Sequence, residues 1–196
     1  MRIQPIDVIS EFYPPGSKLR ETLLIHSRAV ADRALAIAGR LAHLRPDFAF
    51  IREAALLHDI GVYLTNAPSI GCAGEYPYIC HGFLGREILE EKGLFRHALV
   101  CERHVGVGLT AAEIRSENLP LPEHDMRPVS LEEEIICYAD NFFSKKPHLN
   151  GRPLAFDSVV ENVATYGPGK VDRLLEWAAR FEGIRQADVS SAGGGR

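Results

Sequence analysis

Apolar residues recur at a helical spacing along most of this chain, and this periodicity limits its fold more than any other feature. Between about residues 17 and 43 they occupy one face of a predicted helix: Leu23, Val30, Ala34, Ile37 and Leu41. A helix returns to the same face every three or four residues, whereas a half-buried strand alternates apolar and polar residues. No segment shows that alternation. The sequence therefore predicts an all-α fold, a bundle of helices.

Proline and glycine divide the chain into further helices. After Arg45-Pro46-Asp47, a helix is predicted from about Phe48 to Ile60, with Gly61 as a left-handed C-terminal stop. Ser130 and Glu133 form a capping-box pattern that starts another helix. The remaining helices are predicted over about 81–93, 94–105, 110–118, 130–141, 156–166 and 170–183. Residues 62–80 lack periodicity, which predicts a long loop. Long loops in compact domains are often functional. We expect this one to form a lid over a substrate.

Length and charge exclude several classes of protein. The chain has 196 residues, of which 46% are hydrophobic, which suits one domain over 1–185 with a flexible tail over 186–196. A net charge of -4 gives no electrostatic reason to bind nucleic acid or a membrane surface. Met1-Arg2-Ile3-Gln4-Pro5 lacks the apolar core of a signal peptide. We therefore expect a cytoplasmic protein whose partner is a small molecule.

The cysteines do not form a metal-binding or redox pair. No two of Cys72, Cys80, Cys101 and Cys137 stand in a Cys-x-x-Cys arrangement, which disfavours a zinc ribbon or a thioredoxin-like site. We expect reduced thiols, with Cys101 and Cys137 on helical faces. Cys72 and Cys80 fall in the loop before His81, where a redox or ligand role stays open.

Six residues of the type that binds metals come from separate predicted helices: His26, His58, Asp59, His81, His104 and Asp140. Imidazole and carboxylate groups are ligands of Zn, Fe and Mn. His26 lies on the apolar face of its helix, and Asp140 follows an apolar run without a nearby lysine or arginine on its N-terminal side. A buried carboxylate is costly unless it is paired or bound to a cation. Ligands from several helices are typical of metal sites in bundles, and six could hold two ions with Asp59 between them.

The other four histidines fit ordinary positions. His43 and His148 stand near prolines, and His124 falls in a loop. His97 competes with His104, because it lies seven residues earlier on nearly the same helical face. Gly106 and Gly108 favour His104, since glycine leaves backbone space for a ligand.

Four segments between His26 and about Lys145 together form a recognisable pattern. They are His58-Asp59-Ile60-Gly61, His81-Gly82 followed by Gly85 and Ile88, Glu102-Arg103-His104-Val105-Gly106, and the helix Leu131 to Asp140. This pattern resembles the HD-domain superfamily of metal-dependent phosphohydrolases, in its HDIG branch. It is similar to small HDIG proteins and, more distantly, to bacterial dinucleoside-polyphosphate hydrolases. The extension that marks cyclic-di-GMP phosphodiesterases is absent, which disfavours that substrate.

The resemblance implies two divalent ions, which could be Fe, Mn, Ni, Zn or Mg. One ion would be bound by His26, His58, Asp59 and Asp140, and the other by Asp59, His81 and His104. Two such ions activate a water molecule and neutralise phosphoryl charge. The expected substrate is a small phosphorylated compound such as a nucleotide. We expect Asp59 to be catalytic, and cations to meet the phosphate at Arg103 and Lys145, with Lys146 and Arg86 as further candidates.

Two other functions fit the same residues. The ligand set also resembles HD-fold di-iron oxygenases, which nitrogen and oxygen ligands alone do not exclude. The second alternative is a non-catalytic regulatory module with this fold, although such a module has no need for six buried polar residues. The HDIG context favours the phosphohydrolase.

Overall fold

Within residues 3–146 and 148–184, which the computed structural model describes, the chain forms nine α-helices and one short β-ribbon. The helices are α1 Pro5–Phe12, α2 Lys18–Arg40, α3 Phe48–Leu57, α4 His81–Glu91, α5 Phe95–Arg103, α6 Ala111–Ser116, α7 Leu131–Asp140, α8 Phe156–Ala164 and α9 Pro168–Glu182. Strand β1 (Asn66–Ala67) pairs antiparallel with β2 (Cys72–Ala73). The all-α prediction is confirmed. The predicted tail, 186–196, lies outside the described residues.

Side-chain caps determine where the central helices begin. The Ser17 hydroxyl accepts a hydrogen bond from the Arg20 amide at the start of α2. The Ser130 hydroxyl does the same for Glu133 at the start of α7. The predicted capping box there is only half right, because the Glu133 carboxylate bonds the Val129 amide and not that of Ser130. Such caps satisfy amides that have no partner within the helix.

Two expectations about the first eighty residues were wrong or incomplete. Helix α1 was not predicted at all. Gly61 does not have a positive φ, so it is not a left-handed helix stop. Its importance is steric, because a Cβ there would collide with the backbone of His81 and Gly85. The predicted loop over 62–80 is not without structure: short 3-10 turns at 60–64, 68–70 and 78–80 accompany the β-ribbon.

The described residues form two larger hydrophobic cores and a small third one around Val62 and Ile70. The larger core joins α2, α3 and α7 to α8 and α9, around residues such as Ile37, Ile135 and Trp177. The second core joins α1 to α4 and α5, around Ile9 and Leu89. Helix α2 contributes to both, and its His26 lies between the two parts. Among the described residues, no helix combines the length and apolar character that crossing a bilayer requires.

Candidate metal centre

The six predicted ligands converge in one buried cluster at the junction of the two larger cores. His26 comes from the middle of α2, His58 and Asp59 directly follow α3, His81 begins α4, His104 directly follows α5, and Asp140 ends α7. All are at most 5% exposed except Asp140, whose side chain is 16% exposed. Residues from five elements thus meet at one point.

One part of the cluster, here called the core half, consists of His26, His58 and Asp140. The Nε2 atom of His26 lies 2.9 Å from Asp140 Oδ1 and 3.2 Å from His58 Nε2. Both imidazoles also lie 3.1 Å from Oδ2 of Asp59. The core half therefore offers four ligand atoms, counting this oxygen of Asp59.

The other part, here called the turn half, consists of His81 and His104. Their Nε2 atoms are 3.1 Å apart, and they lie 3.4 and 3.6 Å from Oδ1 of Asp59. Asp59 thus directs one carboxylate oxygen to each half. This is the arrangement required of a carboxylate that bridges two cations.

Backbone hydrogen bonds place a proton on Nδ1 of three histidines. The Nδ1 atoms of His58, His81 and His104 each lie 2.6–2.7 Å from the carbonyl oxygen three residues earlier. A carbonyl only accepts, so each Nδ1 carries a proton. In the turn half, the Nε2 atoms of the two rings face each other across 3.1 Å. A cation between them would be coordinated by both nitrogens, which is the usual arrangement when a histidine's other nitrogen is held in this way.

The charges in the two halves differ. Burial lowers the pKa of His81 to about 3, so it is neutral. Burial also disfavours the charged form of His58, but the carboxylates of Asp59 and Asp140 outweigh burial and raise its pKa to about 10. Burial opposes ionisation of Asp59 as well, yet His58 and Lys145 keep its pKa well below the usual value. Both carboxylates are therefore ionised inside the protein.

The residues fit a divalent cation. Both carboxylate oxygens of Asp59 and Oδ1 of Asp140 are buried and accept no well-aligned hydrogen bond, although ion-pair partners lie near. Two sets of residues bring three ligand atoms within 4.8 Å of one another: His26 with His58 and Asp140, and His58 with Asp59 and His104. Unsatisfied buried oxygens of this kind are costly. These His/Asp clusters could hold metal ions.

Lys145 is the cation that the structure brings to this cluster. Its Nζ lies 2.6 Å from Asp59 Oδ2, and its side chain is only 12% exposed. Burial opposes the charge, but the carboxylate of Asp59 outweighs it and raises the pKa of this amino group. Lys145 therefore stays protonated beside the core half.

The two predicted arginines are held by carboxylates outside the cluster, whereas Lys146 lines two of the clefts beside it. The Arg103 guanidinium bonds the Glu133 carboxylate at 2.9 Å and lines a separate cleft with Arg127 and Arg173. It is next to His104 in sequence, but it does not join the cluster because its side chain is held by α7. Arg86 bonds Glu90 and Glu102. Lys146 is exposed.

The remaining histidines and cysteines stay outside the cluster. His97 stands 3.5 Å from Glu53 and packs edge-on against Phe50, so it does not replace His104. His124 lies 2.8 Å from the carboxylate of Glu102. All four cysteines are free and buried, as predicted.

Two tyrosines support the cluster and were missed in the sequence. The Tyr13 hydroxyl donates to the Ile60 carbonyl at 2.9 Å and accepts from the Tyr63 amide at 3.1 Å, which holds the turn after Asp59. The Tyr78 ring packs on the His81 ring with centroids 4.7 Å apart. Tyr78 stands three residues before His81, a spacing that could have marked it. No local pattern marks Tyr13.

Three clefts open beside the cluster, and Lys145 lines all of them. The largest, about 330 Å³, is bounded by Asp140, Lys145, Asn162 and Tyr166. Another lies between His26 and Lys146, and the third runs along Ala67–Ile70 of the 62–80 segment. The cluster can therefore be reached from outside, and the 62–80 segment forms part of one entrance.

Comparison with known proteins identifies the region that contains the cluster. The family model for the HD domain matches residues 23–144. A protein of Methanocaldococcus jannaschii named as uncharacterized is 38% identical over 124 residues, which is 62% of this chain and 66% of that protein. No solved structure matches.

Two further relatives are named tRNA (cytidine(56)-2'-O)-methyltransferases. The one from Picrophilus torridus is 36% identical over 60% of this chain and 31% of its own length. The one from Thermoplasma volcanium is 30% identical over 74% of this chain and 37% of its own length. The matched region is thus about a third of each methyltransferase.

Proposed function

The chain belongs to the HD domain family, and from this premise we propose that it is a metal-dependent phosphohydrolase with two divalent ions. Its substrate would be a phosphate ester or anhydride of a small molecule, such as a nucleotide. The observation that carries the proposal is that Asp59 directs its two oxygens to two different pairs of histidines. A mononuclear site would not need this division.

The charge of the site supports cation binding before phosphate binding. The carboxylates of Asp59 and Asp140 are balanced by the Lys145 ammonium and the protonated His58 ring, so the cluster without added ions has no net positive charge to attract a phosphate. When bound, divalent ions would supply that positive charge, lower the pKa of a water molecule and offset charge on the phosphoryl oxygens. His26, His58, Asp59 and Asp140 would hold one ion, and Asp59, His81 and His104 the other.

Lys145 has the position for binding the phosphoryl group. Its ammonium lies at the edge of the core half and lines the 330 Å³ cleft. A compact cation on a flexible stem can leave Asp59 and donate to a phosphoryl oxygen. Asn141 is less free, because its amide nitrogen already bonds the carbonyl oxygens of Gly106 and Cys137. Arg103 is not part of the proposal, since Glu133 occupies its guanidinium.

The names of the two methyltransferases do not change the proposal. Each shares only about a third of its length with this chain. The described residues instead present histidine and aspartate ligands, which suit hydrolysis assisted by cations.

The test combines metal content with activity. Protein freed of metal by a chelator is reloaded separately with Mn, Fe, Mg, Ni or Zn, and bound metal per chain is measured. Hydrolysis of p-nitrophenyl phosphate and of a nucleotide panel is then measured in air and under nitrogen. We expect two ions per chain and phosphate release that does not require dioxygen. Metal-dependent consumption of dioxygen without phosphate release would overturn the proposal.

Asp59→Ala supplies the decisive variant. It should bind neither ion tightly and lose at least about a hundredfold in kcat/KM, because removal of mere outer-shell partners already costs 10–100-fold. Asp32→Ala is the matched control, since Asp32 is an exposed aspartate on α2. Full activity of Asp59→Ala would contradict the assignment.

A further inference from the structure

An apolar pocket adjoins the cleft of the metal centre. It encloses about 130 Å³ and is lined by eleven residues. Eight of these are glycine or aliphatic, and the polar exceptions are Glu117, Tyr166 and Lys170. The function proposed above uses none of the aliphatic ones.

The pocket and the 330 Å³ cleft share a wall. Gly106, Val163 and Tyr166 line both cavities. The cleft reaches Asp140 and Lys145, where the phosphoryl group would bind. Gly106 follows His104 by two residues, and a Cβ at Gly106 would meet no atom within 4 Å. Gly106 therefore brings no side chain to the shared wall, and the two cavities are close enough for one substrate to occupy both.

The charge of the pocket excludes a second phosphate. Lys170 is its only cation, and the ammonium is already bound by the Gly108 carbonyl at 2.6 Å and the Glu113 carboxylate at 2.7 Å. Glu117 adds a negative charge at the rim. A nucleotide polyphosphate chain would find no free cation there. An uncharged, apolar group fits the lining instead.

The volume of the pocket suits a ligand group that contains a single six-membered ring. An engineered apolar cavity of roughly 150 Å³ binds benzene, and the pocket here encloses about 130 Å³. A fused two-ring system exceeds this space. Tyr166 is 66% exposed and stands at the shared wall, where its ring can pack on an entering aromatic group.

We propose that this pocket binds the leaving group of the substrate, and that the substrate is a phosphomonoester of an alcohol with a single apolar ring. The inference rests on the proposed phosphohydrolase function. In the reaction, the bond from phosphorus to the alcohol oxygen breaks, the water oxygen bonds to phosphorus, and one proton of the water ends on the alcohol. The ring stays in the pocket while the phosphoryl group reacts at the cluster.

Three esters test the proposal in the metal-loaded protein. Ethyl, benzyl and 2-naphthylmethyl phosphate release alcohols of similar acidity, so their chemical reactivity is matched and only the group to be buried differs. We expect kcat/KM for benzyl phosphate to exceed that for ethyl phosphate by about tenfold or more, as burial of a phenyl ring provides. Naphthylmethyl phosphate should fall below benzyl phosphate. Equal values for benzyl and ethyl phosphate would overturn the proposal.

A pair of variants ties the preference to the pocket. Leu119→Trp fills the pocket and should reduce the benzyl-to-ethyl ratio at least about fivefold toward unity. Leu121→Trp makes the same change two residues later, outside the pocket, and should keep the wild-type ratio. Tyr166→Ala is a second pocket variant at an exposed position, so it should fold if Leu119→Trp does not, and it should also lower the ratio. An unchanged ratio in the folded pocket variants would contradict the assignment.

Binding of benzyl alcohol separates this proposal from the proposed function. The alcohol is titrated into the full chain while the methyl resonances of Val105, Val107 and Leu109 are followed by NMR. We expect saturable shifts in wild type and in Leu121→Trp, and their loss in Leu119→Trp. If no ester is hydrolysed but these shifts occur, the phosphohydrolase function fails and the ring pocket stands. If esters are hydrolysed but the shifts are absent, the pocket proposal fails alone.

Discussion

The core half and the turn half of the metal centre present similar ligands but are supported differently. His26 and Asp140 stand on α2 and α7, next to buried residues such as Val30 and Ala139 of the large core. His81 and His104 stand at helix ends, where carbonyl hydrogen bonds orient their rings, and of the core-half histidines only His58 is held in this way. The difference teaches that a hydrophobic core can position a ligand along a helix, whereas a ligand at a helix end needs the backbone around it.

Glycines give the turn half its close packing. A Cβ at Gly61 would collide with the backbone of His81 and Gly85, and one at Gly82 would approach the carbonyl oxygen of Cys101. The turn after α3, the start of α4 and the end of α5 therefore touch through backbone atoms. Side chains at these positions would push the histidines of the turn half apart.

Removal of one ligand from each half should give the largest effects and separate the halves. His81→Ala leaves the turn half with two ligand atoms and the core half with four, so we expect one ion to stay tightly bound. His26→Ala leaves three ligand atoms in the core half and does not change the turn half, so we expect the ion of the core half to bind more weakly while the ion of the turn half stays bound. Both variants should lose at least about a hundredfold in kcat/KM. Metal content and affinity, measured by titration calorimetry, provide the check.

His43→Ala is the control for these variants, since His43 is exposed and is not one of the clustered ligands. It should keep two ions and full activity. Retention of two tight ions by His81→Ala would show that the turn half is not a ligand set.

Gly61→Ala should have the next largest effect and should act on the turn half alone. The new Cβ meets backbone atoms of α4, which cannot turn aside as a side chain can. Overpacking of this kind costs about 1–3 kcal/mol in the free energy of unfolding. We expect that loss in chemical denaturation, together with one ion bound per chain instead of two.

Gly39→Ala is the matched control for Gly61→Ala. Gly39 lies within α2 with no atom within 4 Å of a new Cβ, so alanine there should increase the free energy of unfolding by up to about 1 kcal/mol. Two ions retained by a Gly61→Ala protein of normal stability would refute the steric role of this glycine.

The same contrast explains what the sequence predicted well. Helical periodicity predicted α2, α3 and α7, and the ligands of the core half lie on or directly beside those periodic segments. The predictions failed where contacts between distant segments decide the outcome. Gly61 was assigned to a helix stop because its contact with α4 leaves no local pattern. Arg103 was expected at the phosphate, but Glu133, thirty residues later, determines its direction.

Tyr13 offers the smallest and most specific test, because its hydroxyl contacts only backbone atoms around Asp59, including the Asp59 carbonyl at 3.3 Å, and no ligand side chain. It bonds the Ile60 carbonyl and the Tyr63 amide, and so holds the backbone between Asp59 and the contact of Gly61 with α4. Tyr13→Phe should lower the free energy of unfolding by about 1–3 kcal/mol, since it leaves buried backbone groups without a partner. Affinity for the ion of the turn half should fall about tenfold.

Tyr76→Phe controls for loss of a hydroxyl, because Tyr76 is 48% exposed. If Tyr13→Phe lost stability but kept the wild-type affinity for both ions, Tyr13 would support only the fold. An equal loss of affinity for both ions would mean that Tyr13 acts through Asp59, which the two halves share. Weaker binding of the turn-half ion alone would instead show that the position of the turn after Asp59 determines the position of α4. The turn half would then depend on this backbone contact, and the core half would not.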